Sequence, residues 1–123
     1  MASNDIERFE VAATYSEAVV YIGATVYLAG QVPENTGGQD ITEQTKDVLS
    51  LIEQRLTVAG GDKSRILTAT IYLTNLERDY KPMNEVWNQW IPSGTAPART
   101  TVGVSTLASS QWLIEITVTA ARK

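Results

Sequence analysis

From Asp40 to Gly61 the chain carries a complete helix signature, and segments of strand pattern lie on both sides of it. Asp40 stands at the capping position and Glu43, three residues later, completes a capping box. Ile41, Thr45, Val48, Ile52, Leu56 and Ala59 recur at helical spacing, and Gly60-Gly61 ends the run. A helix with an apolar stripe must bury that stripe, and the neighbouring alternating segments supply a sheet to receive it. The chain is therefore expected to be an α+β protein.

Strand composition marks residues 18–22 and 25–29, separated by Gly23-Ala24, a spacing that suits a tight hairpin. A Gly/Pro/Asn-rich loop follows from Gly30 to Gly38. Residues 67–73 alternate as a third strand, a second helix is expected over about 80–90, and Ile91-Pro92-Ser93-Gly94 breaks it. Two last strands cover 98–104 and 112–121, and a short extra strand fits 7–11. The order reads β–β–α–β–α–β–β. With 123 residues and no repeat or linker, residues 1–123 are read as one domain.

Alternation divides the expected sheet into two faces. One set, including Val26, Leu28, Leu67, Ala69, Ile71, Leu73, Val102, Val104, Ile114, Ile116 and Val118, is apolar and belongs under the helices. The other holds Thr25, Tyr27, Thr68, Thr70, Tyr72, Arg99, Thr101, Glu115, Thr117 and Thr119. This second face is rich in Thr and Tyr and poor in charge, so a second subunit is expected to cover it.

Composition narrows the chemistry. There is no cysteine and no histidine, which excludes disulfides, thiolate nucleophiles, histidine triads and His- or Cys-based metal sites. Acid–base work falls to carboxylates, tyrosine, lysine or water. The net charge is −4 and no basic run occurs, so neither a nucleic-acid partner nor a membrane surface is expected. The N-terminus shows no apolar signal core and no segment is long enough to span a bilayer, so the expected location is cytoplasmic.

Two charged residues on the sheet draw attention. Arg99 follows Ala96-Pro97-Ala98 and opens a strand, and Glu115 lies within Ile114-Glu115-Ile116. If these last two strands pair antiparallel across a loop near Ala108, Glu115 faces Thr101 and Arg99 lies about 7–8 Å away diagonally. The pair then reads either as a structural ion pair or as a site in which Arg99 binds a carboxylate and Glu115 handles a water. Tyr15 in a loop, Asn84 on the second helix and the Gly30 turn are weaker candidates. Trp87 and Trp90 read as anchors of that helix.

Ala29-Gly30-Gln31-Val32-Pro33, Met83-Asn84, Ala96-Pro97-Ala98-Arg99-Thr100 and Ile114-Glu115-Ile116 resemble, in order and spacing, the Rid/YjgF family. The resemblance runs from about Tyr15 to Ala121, and the Val-Pro-Glu-Asn form of the early loop is similar to a side branch of small bacterial members. It implies a chorismate-mutase-like mixed β-sheet with two helices on one face, assembled as a homotrimer with clefts between subunits. It further implies hydrolysis of reactive 2-imino acids to 2-oxo acids and ammonia, without metal or organic cofactor. By position, Arg99 matches the arginine that pairs with the substrate carboxylate and Glu115 the glutamate that positions water. Tyr15 matches the tyrosine of a loop closing the cleft from a neighbouring subunit. Asn84 and Gly30 match residues near the cleft, and Thr101 stands where a cysteine is common. Ala29 replaces a frequent serine and Gly103 a frequent acidic residue. Other readings of the same residues are a non-catalytic binder of small carboxylates and the older description of the family as a translation inhibitor or endoribonuclease.

Overall fold

The computed structural model of the chain describes residues 5–123; residues 1–4, part of the stretch expected to lack a signal core, lie outside them. Two strands, β1 (Ile6–Val11) and β2 (Ser16–Tyr21), form an antiparallel ribbon. Four more, β3 (Thr25–Tyr27), β4 (Ile66–Leu73), β5 (Ala98–Gly103) and β6 (Ile114–Ala121), form a mixed sheet in the order β3-β6-β4-β5. The helices α1 (Ile41–Val58) and α2 (Leu76–Trp90) pack on this sheet and on each other. Among the described residues no helix is long and apolar enough to cross a membrane.

Helix α1 begins where the capping box predicts. The Asp40 carboxylate accepts the Glu43 N–H at 3.0 Å, satisfying a donor that the first turn leaves free. Its inward face carries Ile41, Val48, Leu49, Ile52 and Leu56, all buried. Gly60 follows the C-cap with φ +82°, a conformation open to glycine and strained for most other residues.

Helix α2 starts at Leu76, earlier than the 80–90 expected, because Asn75 caps it by accepting the Arg78 N–H at 3.2 Å. Pro82 lies inside the helix and leaves the Arg78 carbonyl without its usual donor. Trp87 and Met83 are fully buried against Ile71, Leu73, Ile114 and Ile116 in one apolar core. Each such side chain contributes on the order of 1.5–3 kcal/mol by leaving water.

The structure corrects two sequence expectations. The residues 18–22 and 25–29 do not form a hairpin with each other: β2 pairs with β1, and β3 pairs with β6. Gly23-Ala24 is instead the step from the ribbon into the sheet, fastened by the Tyr21 hydroxyl donating to Ala24 O at 2.8 Å.

The second correction concerns β5 and β6, which are not neighbours. Helix α2 carries the chain from β4 back to a parallel β5, as strand–helix–strand connections do, and β6 runs antiparallel along the other side of β4. Arg99 and Thr101 align with Ala69 and Ile71, whose side chains face the core, whereas Glu115 aligns with Tyr72. Arg99 and Thr101 therefore leave the Thr/Tyr face assigned to them and point toward α2, while Val102 moves to the Thr/Tyr face. Among the described residues nothing covers Tyr27 on that face, which is 77% exposed.

Candidate active site

Arg99 lies on the edge strand of the sheet, beneath α2. Its Cζ is 5.2 Å from the centroid of the Trp87 ring, a cation–π placement, and Trp87 is fixed in turn by donating its indole N–H to Thr14 O at 3.1 Å. The guanidinium is half-buried. Among the described residues it forms no ion pair, and its Nη1 is buried with no hydrogen-bond partner. Burial lowers its proton affinity from the ordinary value, and the neighbouring Tyr80 hydroxyl acts in the opposite direction. A planar, charged fork with free donors is a receptor for a carboxylate.

A cavity of about 870 Å³ opens at this strand edge, and its wall includes Arg99, Thr101, Tyr15, Tyr80, Glu17 and Glu77. The loop before β2 is tied to the start of β5: the Ser16 N–H donates to Pro97 O at 2.8 Å and the Ser16 hydroxyl donates to Ala96 O. Those two bonds set Tyr15 beside Arg99. Two more buried polar atoms have no partner, Oγ1 of Thr101, a residue of the cavity wall, and Oδ1 of Asn84 on α2. Asn84 shares its face of α2 with Tyr80 and Trp87, four residues back and three on.

Glu115 and Gly30 form a separate pair on the other face of the sheet. The Gly30 loop is bound to β6 by a two-way bridge, Gln31 N–H to Ile116 O at 2.8 Å and Ile116 N–H to Gln31 O at 3.0 Å. This bridge lays Gly30 so close to the Glu115 side chain that a Cβ at Gly30 would overlap the carboxylate. The expected diagonal approach of Arg99 to Glu115 does not occur, nor does their ion pair.

The sequence candidates thus fall into two groups, Arg99, Thr101 and Tyr15 about one cavity with Asn84 on the covering helix, and Glu115 with Gly30 across the sheet. Sequence reasoning missed Tyr80, Glu17 and Glu77. Tyr80 had a readable signal, since its spacing to Asn84 and Trp87 is that of one helix face, but starting the helix at Tyr80 hid it. Among the described residues there is no group of three or more acidic side chains arranged to hold a metal ion.

Comparison with known proteins agrees with this architecture. The model of the Endoribonuclease L-PSP family matches residues 5–122. A RutC family protein of Haemophilus ducreyi is 42% identical over 116 residues, covering 94% of this chain and 96% of that protein. The RutC family protein YoaB of Escherichia coli is 38% identical over 116 residues, covering 94% and 97%. Among solved structures, a YjgF family member from Neisseria meningitidis shares 43% identity at a TM-score of 0.76, with 97% and 96% of the chains covered. YyfB of Yersinia pestis, of the Rid family and described as of unknown function, superposes at a TM-score of 0.86 with 26% identity, covering 95% and 98%. Two helices on a mixed sheet, the Pro-x-Arg edge strand and the full-length match together make this chain a member of the Endoribonuclease L-PSP family, also called YjgF, RutC or Rid.

Proposed function

We propose that the protein is a cofactor-independent deaminase that hydrolyses 2-imino acids to 2-oxo acids and ammonia. The observation that carries this reading is the half-buried Arg99, without an ion pair among the described residues, on the wall of a cavity of small-molecule size. An iminium carbon is already electrophilic, so holding the acid and delivering water supply most of the catalysis. In this reading Arg99 binds the carboxylate, Thr101 and Tyr15 line the substrate, and the Asn84 carbonyl receives the iminium N–H. Glu115 accepts a proton as water adds to the carbon, and that proton passes to the nitrogen. Glu115 then takes the hydroxyl proton as the C–N bond breaks and the C=O forms, so that ammonia leaves and carries the last proton away as ammonium. Atoms and charge balance without an oxidant or metal.

Glu115 stands on the opposite face from Arg99, so the reaction requires a second copy of the chain to bring a Glu115 to each Arg99 cavity. The exposed Tyr27 on the Thr/Tyr face supports such an assembly, and the resemblance to the Rid family favours a homotrimer with three clefts. Gly30 would wall the Glu115 side of that cleft.

A second reading is favoured by the same separation of the two residues: a binder of 2-oxo acids in which Arg99 acts alone. RNA cleavage has less support. The chain is acidic at −4 and carries no basic run to track a phosphate backbone.

The test generates imino acids in place with an amino-acid oxidase and follows their disappearance. Wild-type protein is expected to accelerate loss, Arg99→Ala to abolish the effect, and Glu115→Gln to slow it by about 100-fold. No acceleration by protein that binds 2-oxo acids would establish the binder instead.

A further inference from the structure

The β1–β2 ribbon shares no strand ladder with the mixed sheet, and a two-stranded ribbon is at best marginally stable by itself. At its turn, its place beside the Arg99 cavity is set by individual bonds instead. These bonds flank Tyr15, which lines the cavity and is 39% exposed. On one side Thr14 is tied to α2: its carbonyl accepts the Trp87 indole N–H at 3.1 Å, and its hydroxyl donates to Asn88 Oδ1 at 3.0 Å. On the other side Ser16 grips the segment leading into β5, its N–H donating to Pro97 O at 2.8 Å and its hydroxyl to Ala96 O.

Ser16 is the firmer of the two ties. It is 2% exposed, so water does not compete for its hydroxyl, and a hydroxyl buried this deeply needs a protein partner. The segment it grips is stiff. The ring of Pro97 fixes its own φ and biases Ala96 towards extended backbone. Arg99 stands two residues beyond Pro97, on a strand paired in register with β4 from Ala98 onward. The two Ser16 bonds therefore couple the position of Arg99 to that of Tyr15, the residue next to Ser16 in the chain. Asn88 is exposed, and its bond to Thr14 is the weaker support.

We propose that Ser16 is a positioning residue of the candidate site, with Asn88 in support: through Ala96 and Pro97 it fixes Tyr15 relative to Arg99, so that both meet a 2-oxo or 2-imino acid without rearrangement. This rests on the reading of Arg99 as the carboxylate-binding residue. It goes further in naming a residue outside the motifs of the Rid resemblance, one that acts through two others rather than on the ligand. A tyrosine already held loses little freedom on binding, whereas a released one must be immobilised by the ligand.

Affinity for 2-oxobutyrate is measured by calorimetry on the intact assembly for wild type, Ser16→Ala, Tyr15→Ala and the double variant, with thermal melting in parallel. Ser16→Ala is expected to weaken binding roughly fivefold in the wild-type background but less than about twofold beside Tyr15→Ala, with the same fall in Tm in both. Wild-type affinity in Ser16→Ala, or an equal loss in the two backgrounds, marks a merely structural serine and overturns the proposal while leaving the Arg99 reading intact. Asn88→Ala, a surface change, releases the same turn from α2 and is expected to weaken binding about twofold to threefold at an unchanged Tm. If Ser16→Ala does not fold, wild-type affinity in Asn88→Ala overturns the proposal by itself. A wild-type protein that binds no 2-oxo acid overturns the Arg99 reading and this proposal with it.

Discussion

Arg99 and Glu115 project from opposite faces of one sheet, with β4 running between the strands that carry them. Arg99 is aligned with Ala69 on the helix-covered face and Glu115 with Tyr72 on the open face. Any chemistry that uses both on one substrate must be shared between two copies of the chain, whereas carboxylate binding by Arg99 needs only one.

Thr101 gives a test of the cavity that does not disturb charge. Its Oγ1 is buried with no partner, a state that costs about 1–3 kcal/mol relative to a satisfied hydroxyl. Thr101→Val keeps the shape and removes the orphan. The folded protein should gain up to about 1 kcal/mol in denaturant unfolding, while 2-oxo acid affinity falls several-fold because a polar contact to the ligand is lost.

Gly30 should tolerate alanine in the backbone but not beside Glu115. A Cβ there meets the Glu115 carboxylate, the far end of a flexible side chain, which must swing away. Gly30→Ala is expected to change Tm by only a few degrees while lowering kcat about tenfold or more, since the carboxylate no longer sits where water is to be activated. Unchanged kcat would remove Glu115 from the mechanism.

Asp62 predicts part of the acid limb of stability. It caps the turn at Lys63–Arg65, accepting the Ser64 N–H at 3.0 Å, and this bond holds its carboxyl below its ordinary value. A carboxyl depressed in the folded state stabilises the protein above the unfolded value of 3.8 and loses that contribution as pH falls through the folded value. Asp62→Asn should therefore melt lower at neutral pH and show a smaller loss of Tm below about pH 4, measured by calorimetry across pH 2–7.

Much of the fold was legible because its signals are local. The Asp40–Glu43 capping box marked the start of α1, and alternation marked β4 and β6 within two residues of their ends. What escaped was pairing, which no strand encodes alone. Parity along a strand assigns faces only relative to that strand, so grouping Arg99 with Glu115 required a register between β5 and β6 that does not exist. The strand–helix–strand order of β4, α2 and β5 already implied a parallel pair, and that pair turns Arg99 toward the helices. Asn75 was a readable cap, but the expected helix opened only at Tyr80, which hid the first turn of α2 together with the alignment of Tyr80. The residues of the candidate site were legible one by one from family motifs; their division between two faces was not.

The division itself supplies the most direct test. Arg99→Ala and Glu115→Gln are purified separately, unfolded, mixed in equal amounts, refolded together and assayed for imine hydrolysis. If each site takes Arg99 from one copy and Glu115 from the next, every mixed trimer contains one intact site, and the mixture recovers about one quarter of wild-type activity from two inactive parents. Recovery near that level is the predicted result. A refolded mixture that forms mixed trimers yet stays as inactive as its parents would contradict a shared cleft.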